Sequence, residues 1–163
     1  MTTIAAHWST ALETLGACQE AQTFASRFDS LQAAWDACER ADWLLWLLGK
    51  KSGRRGSEAH RTLVLTACQC ARRALHFVPT KENRPHLAIE TVERWAKSDV
   101  EITLDDVKDA AYAANAAAYA AYAADAADAA NAADAAANAA DAAYAEHKTM
   151  CVIIRERHAC PIL

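Results

Sequence analysis

Residues 110–145 read AAYAANAAAYAAYAADAADAANAADAAANAADAAYA, and 25 of these 36 residues are alanine, with no glycine or proline among them. Alanine has the highest helix propensity of any residue, so this quarter of the chain sets an all-helical fold class. The other eleven residues fall at 112, 115, 119, 122, 125, 128, 131, 134, 138, 141 and 144, a mean spacing of 3.2. At 100° per residue, a stripe with that period drifts by about 240°, two-thirds of the way around the helix axis, between Tyr122 and Asp134. One straight amphipathic helix is therefore excluded. A break near Ala123 to Asn131 would make a helical hairpin; a continuous helix would have to be wrapped by other elements along a spiral line. We expect the break.

Outward from the tract, helix signals continue in both directions. Thr103-Leu104-Asp105-Asp106 places a capping hydroxyl and two early acids at a helix start. After the tract, His147 to His158 carries Met150, Val152, Ile153 and Ile154, a terminal packed helix before Pro161. Upstream, Pro85 sits in the first turn of a helix with Leu87, Ala88, Val92 and Trp95 pointing inward. Ser57 opens another, which Pro79 ends. Leu63, Ala67, Cys70, Ala74 and Phe77 lie on one of its faces, with Val64, Cys68, Ala71, Leu75 and Val78 beside them, so it is apolar over a wide arc. Leu31, Trp35, Cys38, Ala41, Leu45 and Leu48 recur at helical intervals, which predicts a helix from about Ser30 to Leu48 with Gly49 as its left-handed cap. Thr10 and Glu13 have capping-box spacing and predict a first helix starting there.

These elements predict a compact multi-helix bundle with an Ala-rich long helix or helical hairpin in its C-terminal half. With 163 residues, one domain suffices. Residues 1–104 form mixed-composition helices, 105–146 an Ala/Asp-rich region, and 147–163 a terminal helix and tail. Only four Gly and three Pro occur, too few turn signals for a sandwich or barrel.

The formal net charge of −4 is unevenly spread, at +1 for residues 1–104, −7 for 105–146 and +2 for 147–163. An acidic chain of this kind is not drawn to nucleic acid or an anionic membrane. The N-terminal residues lack a basic region followed by an apolar one, and the longest strongly apolar run, Trp43 to Leu48, is far too short to span a bilayer. We expect a cytoplasmic protein whose six cysteines are free thiols, mostly packed in the core.

Candidate sites are few. Cys68-Gln69-Cys70 on a helix points its two thiols about 200° apart, unlike a zinc turn, and no metal or other cofactor is expected. No nucleophile motif or paired-histidine string occurs, so no catalytic residue is named. His76 as a base for Cys70 is a chance pairing among six cysteines and six histidines. Lys50, Lys51, Arg54 and Arg55 form an exposed basic cluster that could meet an acidic partner or simply be solvated. Asp125, Asp128, Asp134 and Asp141 pose the same choice between solubilising an alanine surface and steering a basic partner. Asp42, beside a run of buried tryptophan and leucine, calls for an arginine such as Arg72 or Arg73; with Glu90 these residues are expected to form a buried polar network.

Three segments together carry a family resemblance: Asp42-Trp43-Leu44-Leu45-Trp46-Leu47-Leu48-Gly49; Cys68-Gln69-Cys70-Ala71-Arg72-Arg73-Ala74-Leu75; and Arg84-Pro85 followed by Ala88-Ile89-Glu90-Thr91-Val92-Glu93-Arg94-Trp95. With the Ala-rich tract, the chain from about Trp35 to Arg157 resembles the immunity proteins of bacterial polymorphic-toxin systems, in the Imm-five-like group. The resemblance implies a small helical cytoplasmic protein that neutralises a toxin by binding it, and it carries no catalytic motif. The same scaffold would serve a phage or mobile element as an inhibitor of a host defence protein. Two further alternatives are a helical enzyme or ligand-binding domain with a polar pocket containing Asp42, Arg72, Glu90 or His76, and a nucleic-acid mimic with carboxylates in a phosphate-like row.

Overall fold

The computed structural model describes residues 5–78, 80–110, 112–113 and 132–163. The chain is all-α: every regular element among the described residues is helical, and no strand occurs among them. The expected break between Ala123 and Asn131 lies outside the described residues, as do Asp125 and Asp128. Two compact units are present, Met1–Gly53 with His147–Leu163, and Arg54–Glu146.

The first unit contains α1 (Ala5–Thr14), α2 (Gln19–Ala25), α3 (Leu31–Ala37) and α4 (Ala41–Lys51). It also takes the C-terminal end of α7, a helix with bounds Ala132–Arg157. Thr10 lies inside α1 instead of capping it, and its carbonyl accepts a bond from the Thr14 hydroxyl at 3.0 Å. The helix stops where Gly16 takes φ +83° and the amides of Gly16 and Ala17 turn back to the carbonyls of Glu13 and Leu12. This paired closure satisfies carbonyls left over at the helix end.

Ser30 caps α3, its hydroxyl accepting from the Ala33 amide at 3.1 Å. The helix expected from Ser30 to Leu48 is interrupted, because Cys38 turns to φ −70°, ψ 126° and α4 starts afresh at Ala41. The carbonyls exposed by this break are satisfied from far along the chain. Arg155 donates to the Trp35 carbonyl from Nε at 3.1 Å and from Nη2 at 2.6 Å, and Nη2 also donates to the Cys38 carbonyl. Gly49 lies within α4 instead of capping it. The helix runs on to Lys51, and Gly53 takes the left-handed position at φ +75°. The core gathers Leu12, Trp35, Leu44, Leu47, Cys151 and Ile154, the last with no exposed surface. Val152, expected to pack, is 53% exposed.

The second unit pairs α5 (Glu58–Arg73), which runs into a 3-10 turn at Ala74–Phe77, with α6 (Arg84–Ala96). The Ser57 hydroxyl accepts from the His60 amide at 3.3 Å. Leu63, Thr66, Cys68 and Cys70 are all buried on α5, consistent with a wide apolar arc. On α6, Ala88 and Ala96 are buried, whereas Leu87, expected to point inward, is 50% exposed. Arg61 ties the start of α5 to the end of α6: its Nη1 donates to the Trp95 carbonyl at 3.1 Å and to the Ser98 hydroxyl at 2.6 Å. Residues 104–110 are helical again, opened by a reciprocal cap. Asp106 N donates to the Thr103 hydroxyl at 3.2 Å, and Thr103 N donates to the Asp106 carboxylate at 2.7 Å.

Candidate functional site

The helix that begins at residue 104 opens the segment carrying seven excess negative charges. At 100° per residue, Asp105, Asp109 and Tyr112 fall within about 60° of one another. Val107 and Ala110 occupy the opposite side and are half-buried, which directs the Asp105, Asp109 and Tyr112 face to solvent. Tyr112 is 73% exposed, Leu104 37%, and Val100 in the preceding turn 96%. Asp105 is 2.8 Å from Lys108 Nζ, an exposed pair, and Asp109 has no ion pair among the described residues. The result is an acidic face that also carries an exposed aromatic side chain, with exposed apolar side chains at Val100 and Leu104 just before it. Such a face suits a basic protein surface, with Tyr112 supplying contact area at small entropic cost.

Composition located the acidic segment but not this face. No sequence signal gives it, because the exposure of Val100, Leu104 and Tyr112, residues that normally seek burial, is set by which side of the helix Val107 and Ala110 turn inward. Of the carboxylates singled out from sequence, Asp125 and Asp128 lie outside the described residues; Asp134 and Asp141 lie on α7, with side chains outside them.

The basic residues are placed as follows. Lys50 and Lys51 are exposed in the last turn of α4, where cations complement the helix dipole, and Lys50 Nζ sits 5.4 Å above the Trp46 ring. Arg54 and Arg55 are exposed in the turn that leads to α5 in the second unit.

The buried polar network expected around Asp42 is absent. Asp42, Arg72, Arg73 and Glu90 are all exposed. Asp42 is held by Arg40, two residues before it, through paired bonds of 2.9 and 2.7 Å that keep its carboxyl below the usual carboxylate range. Arg72 takes Glu93 at 2.7 and 2.8 Å, and Arg73 takes Glu146 at 2.6 and 3.2 Å. The physical reason is that Trp43 is only half-buried, with the Arg40 guanidinium 4.6 Å over its ring, so the carboxylate next to it stays in water.

Cys38, Cys68, Cys70 and Cys151 are buried, and Cys18 is exposed. Burial pushes the Cys68 thiol up to about 11, with the Glu93 carboxylate adding to the effect, so at neutral pH it packs as a small apolar group. His76 is exposed, its Nδ1 2.6 Å from the Arg73 carbonyl, while Cys70 is turned inward. Among the described residues, no group of three or more His, Cys, Asp or Glu side chains could hold a metal ion. No helix among them is long and apolar enough to cross a membrane.

Compared with known proteins, the chain matches no family model, no curated protein and no solved structure.

Proposed function

We propose that this chain is a non-catalytic inhibitor of the immunity type, acting in the cytoplasm, which binds a bacterial toxin or related effector protein and neutralises it. The observation that carries the proposal is the solvent-facing Asp105, Asp109 and Tyr112 face at the head of a segment with net charge −7. The natural complement of this face is a basic groove, such as a toxin uses to hold an anionic substrate. Covering that groove blocks the toxin without any bond being made or broken. The sequence resemblance to immunity proteins supports the same function. Its test is affinity capture of the tagged chain from the native host, with bound proteins identified by mass spectrometry and assayed. We expect one stoichiometric toxin or effector whose activity is suppressed. Recovery of the chain alone across salt concentrations and growth states overturns the proposal.

A further inference from the structure

We propose that the exposed face of the helix beginning at residue 104 docks a second copy of this chain about a two-fold axis. With Asp105 as the origin, Lys108 falls at about −60° around the helix, Tyr112 at about −20° and Asp109 at about +40°. The face therefore runs from a base, past an aromatic ring, to two acids, all of them exposed. Arg55, exposed in the turn before α5, extends the basic edge. The Lys108 charge is favoured chiefly by its 2.8 Å bond to Asp105 and opposed by the Arg55 guanidinium, which stands near enough to act on it. Neither Arg55 nor Asp109 has an ion pair among the described residues.

A surface split in this way is complementary to itself. A two-fold axis near Tyr112 lays the basic edge of each copy over the acidic edge of the other, so the same match is made twice. A partner of one sign suits a single edge; an identical chain turned about that axis suits both. Val100, 96% exposed, and Leu104, 37% exposed, add apolar surface beside the face that the second copy covers. A few turns of one helix and one arginine make a small contact, below the ~1,200 Å² of a standard stable complex, so the association is weak and reversible. Its consequence rests on the inhibitory reading given above. The second copy covers Asp105 and Asp109, so a basic partner must displace it, and self-association holds the inhibitory face back until that partner is present.

The experiment is sedimentation velocity on the full chain at low salt, from about 10 µM to about 1 mM. We expect the mass to climb from one chain towards two. Two charge-reversed variants then test the face: Asp105→Lys with Asp109→Lys makes both edges basic, and Arg55→Glu with Lys108→Glu makes both acidic. Each alone should associate about tenfold or more weakly, with its helical circular dichroism retained, and an equimolar mixture of the two should recover the dimer. A single-chain mass at every concentration overturns the inference whether or not the variants fold, and leaves inhibition of a toxin to its own capture test. Wild-type association by either variant alone, or a mixture of folded variants that stays monomeric, overturns it as well, because the dimer would then be built on another surface.

Discussion

Among the described residues of the first unit, Arg155 makes the longest-range side-chain bonds, 117 and 120 residues from the carbonyls it satisfies. Its planar fork reaches two acceptors at once, and its charge sits where the end of α3 presents partial negative charge. Arg155→Ala leaves both carbonyls without that donor and should cost about 1–3 kcal/mol, read as a lower urea midpoint. Arg155→Lys should recover only part of the loss, since an ammonium cannot reproduce the fork. A second residue-scale prediction concerns pH. The paired Arg72 bonds hold the Glu93 carboxyl below its ordinary value of 4.5. Because the folded-state value is the lower one, the pair stabilises the fold fully above 4.5 and loses its contribution as pH falls through the folded-state value. Arg72→Gln should therefore lower the urea midpoint at neutral pH, and the gap from wild type should narrow in acid; a constant gap would exclude the pair as its cause. Neither arginine's role was legible in sequence. Side-chain partners are chosen by packing, and Asp42 found Arg40 two residues away in place of the more distant arginines expected for it.

At the scale of elements, local chemistry was the legible part. Ser30, Ser57 and Thr103 each open a helix, because a capping hydroxyl acts on amides only a few residues away. Ser30→Ala should cost about 1 kcal/mol. The break at Cys38 was not legible, because the apolar spacing from Leu31 to Leu48 is the same with or without it and the bonds that stabilise it come from Arg155. The end of α4 gives the sharpest test of where sequence and structure differ. Gly49 was expected to cap the helix but lies inside it, with open space where a Cβ would project. Gly49→Ala should therefore stabilise the protein by roughly 0.5–1 kcal/mol. Gly53 holds φ +75°, where a Cβ is strained, and Gly53→Ala should destabilise it by about 1–2 kcal/mol. Thermal midpoints moving in opposite directions would establish that the left-handed position is at 53; a drop for Gly49→Ala would return it to 49.

For the whole molecule, composition revealed the helical class and the concentration of acid after residue 104. It could not reveal which side chains of that segment face water, since exposure depends on what Val107 and Ala110 pack against. The charge distribution bears directly on the proposed inhibition. If Asp105 and Asp109 help steer a basic partner, their contribution belongs to the encounter and is screened by salt, whereas contacts formed after docking govern dissociation. Replacing both with asparagine removes two charges from an exposed face and should leave the fold intact. Against the captured partner, the double variant should associate about threefold to tenfold more slowly at low ionic strength. Its dissociation rate should change far less, and the two association rates should converge as salt is raised past the point where the Debye length falls below the width of the face. Equal association at every salt concentration would remove this face from the interface while leaving inhibition itself intact. A change confined to dissociation would instead place the carboxylates inside the docked contact, paired directly with basic side chains of the partner.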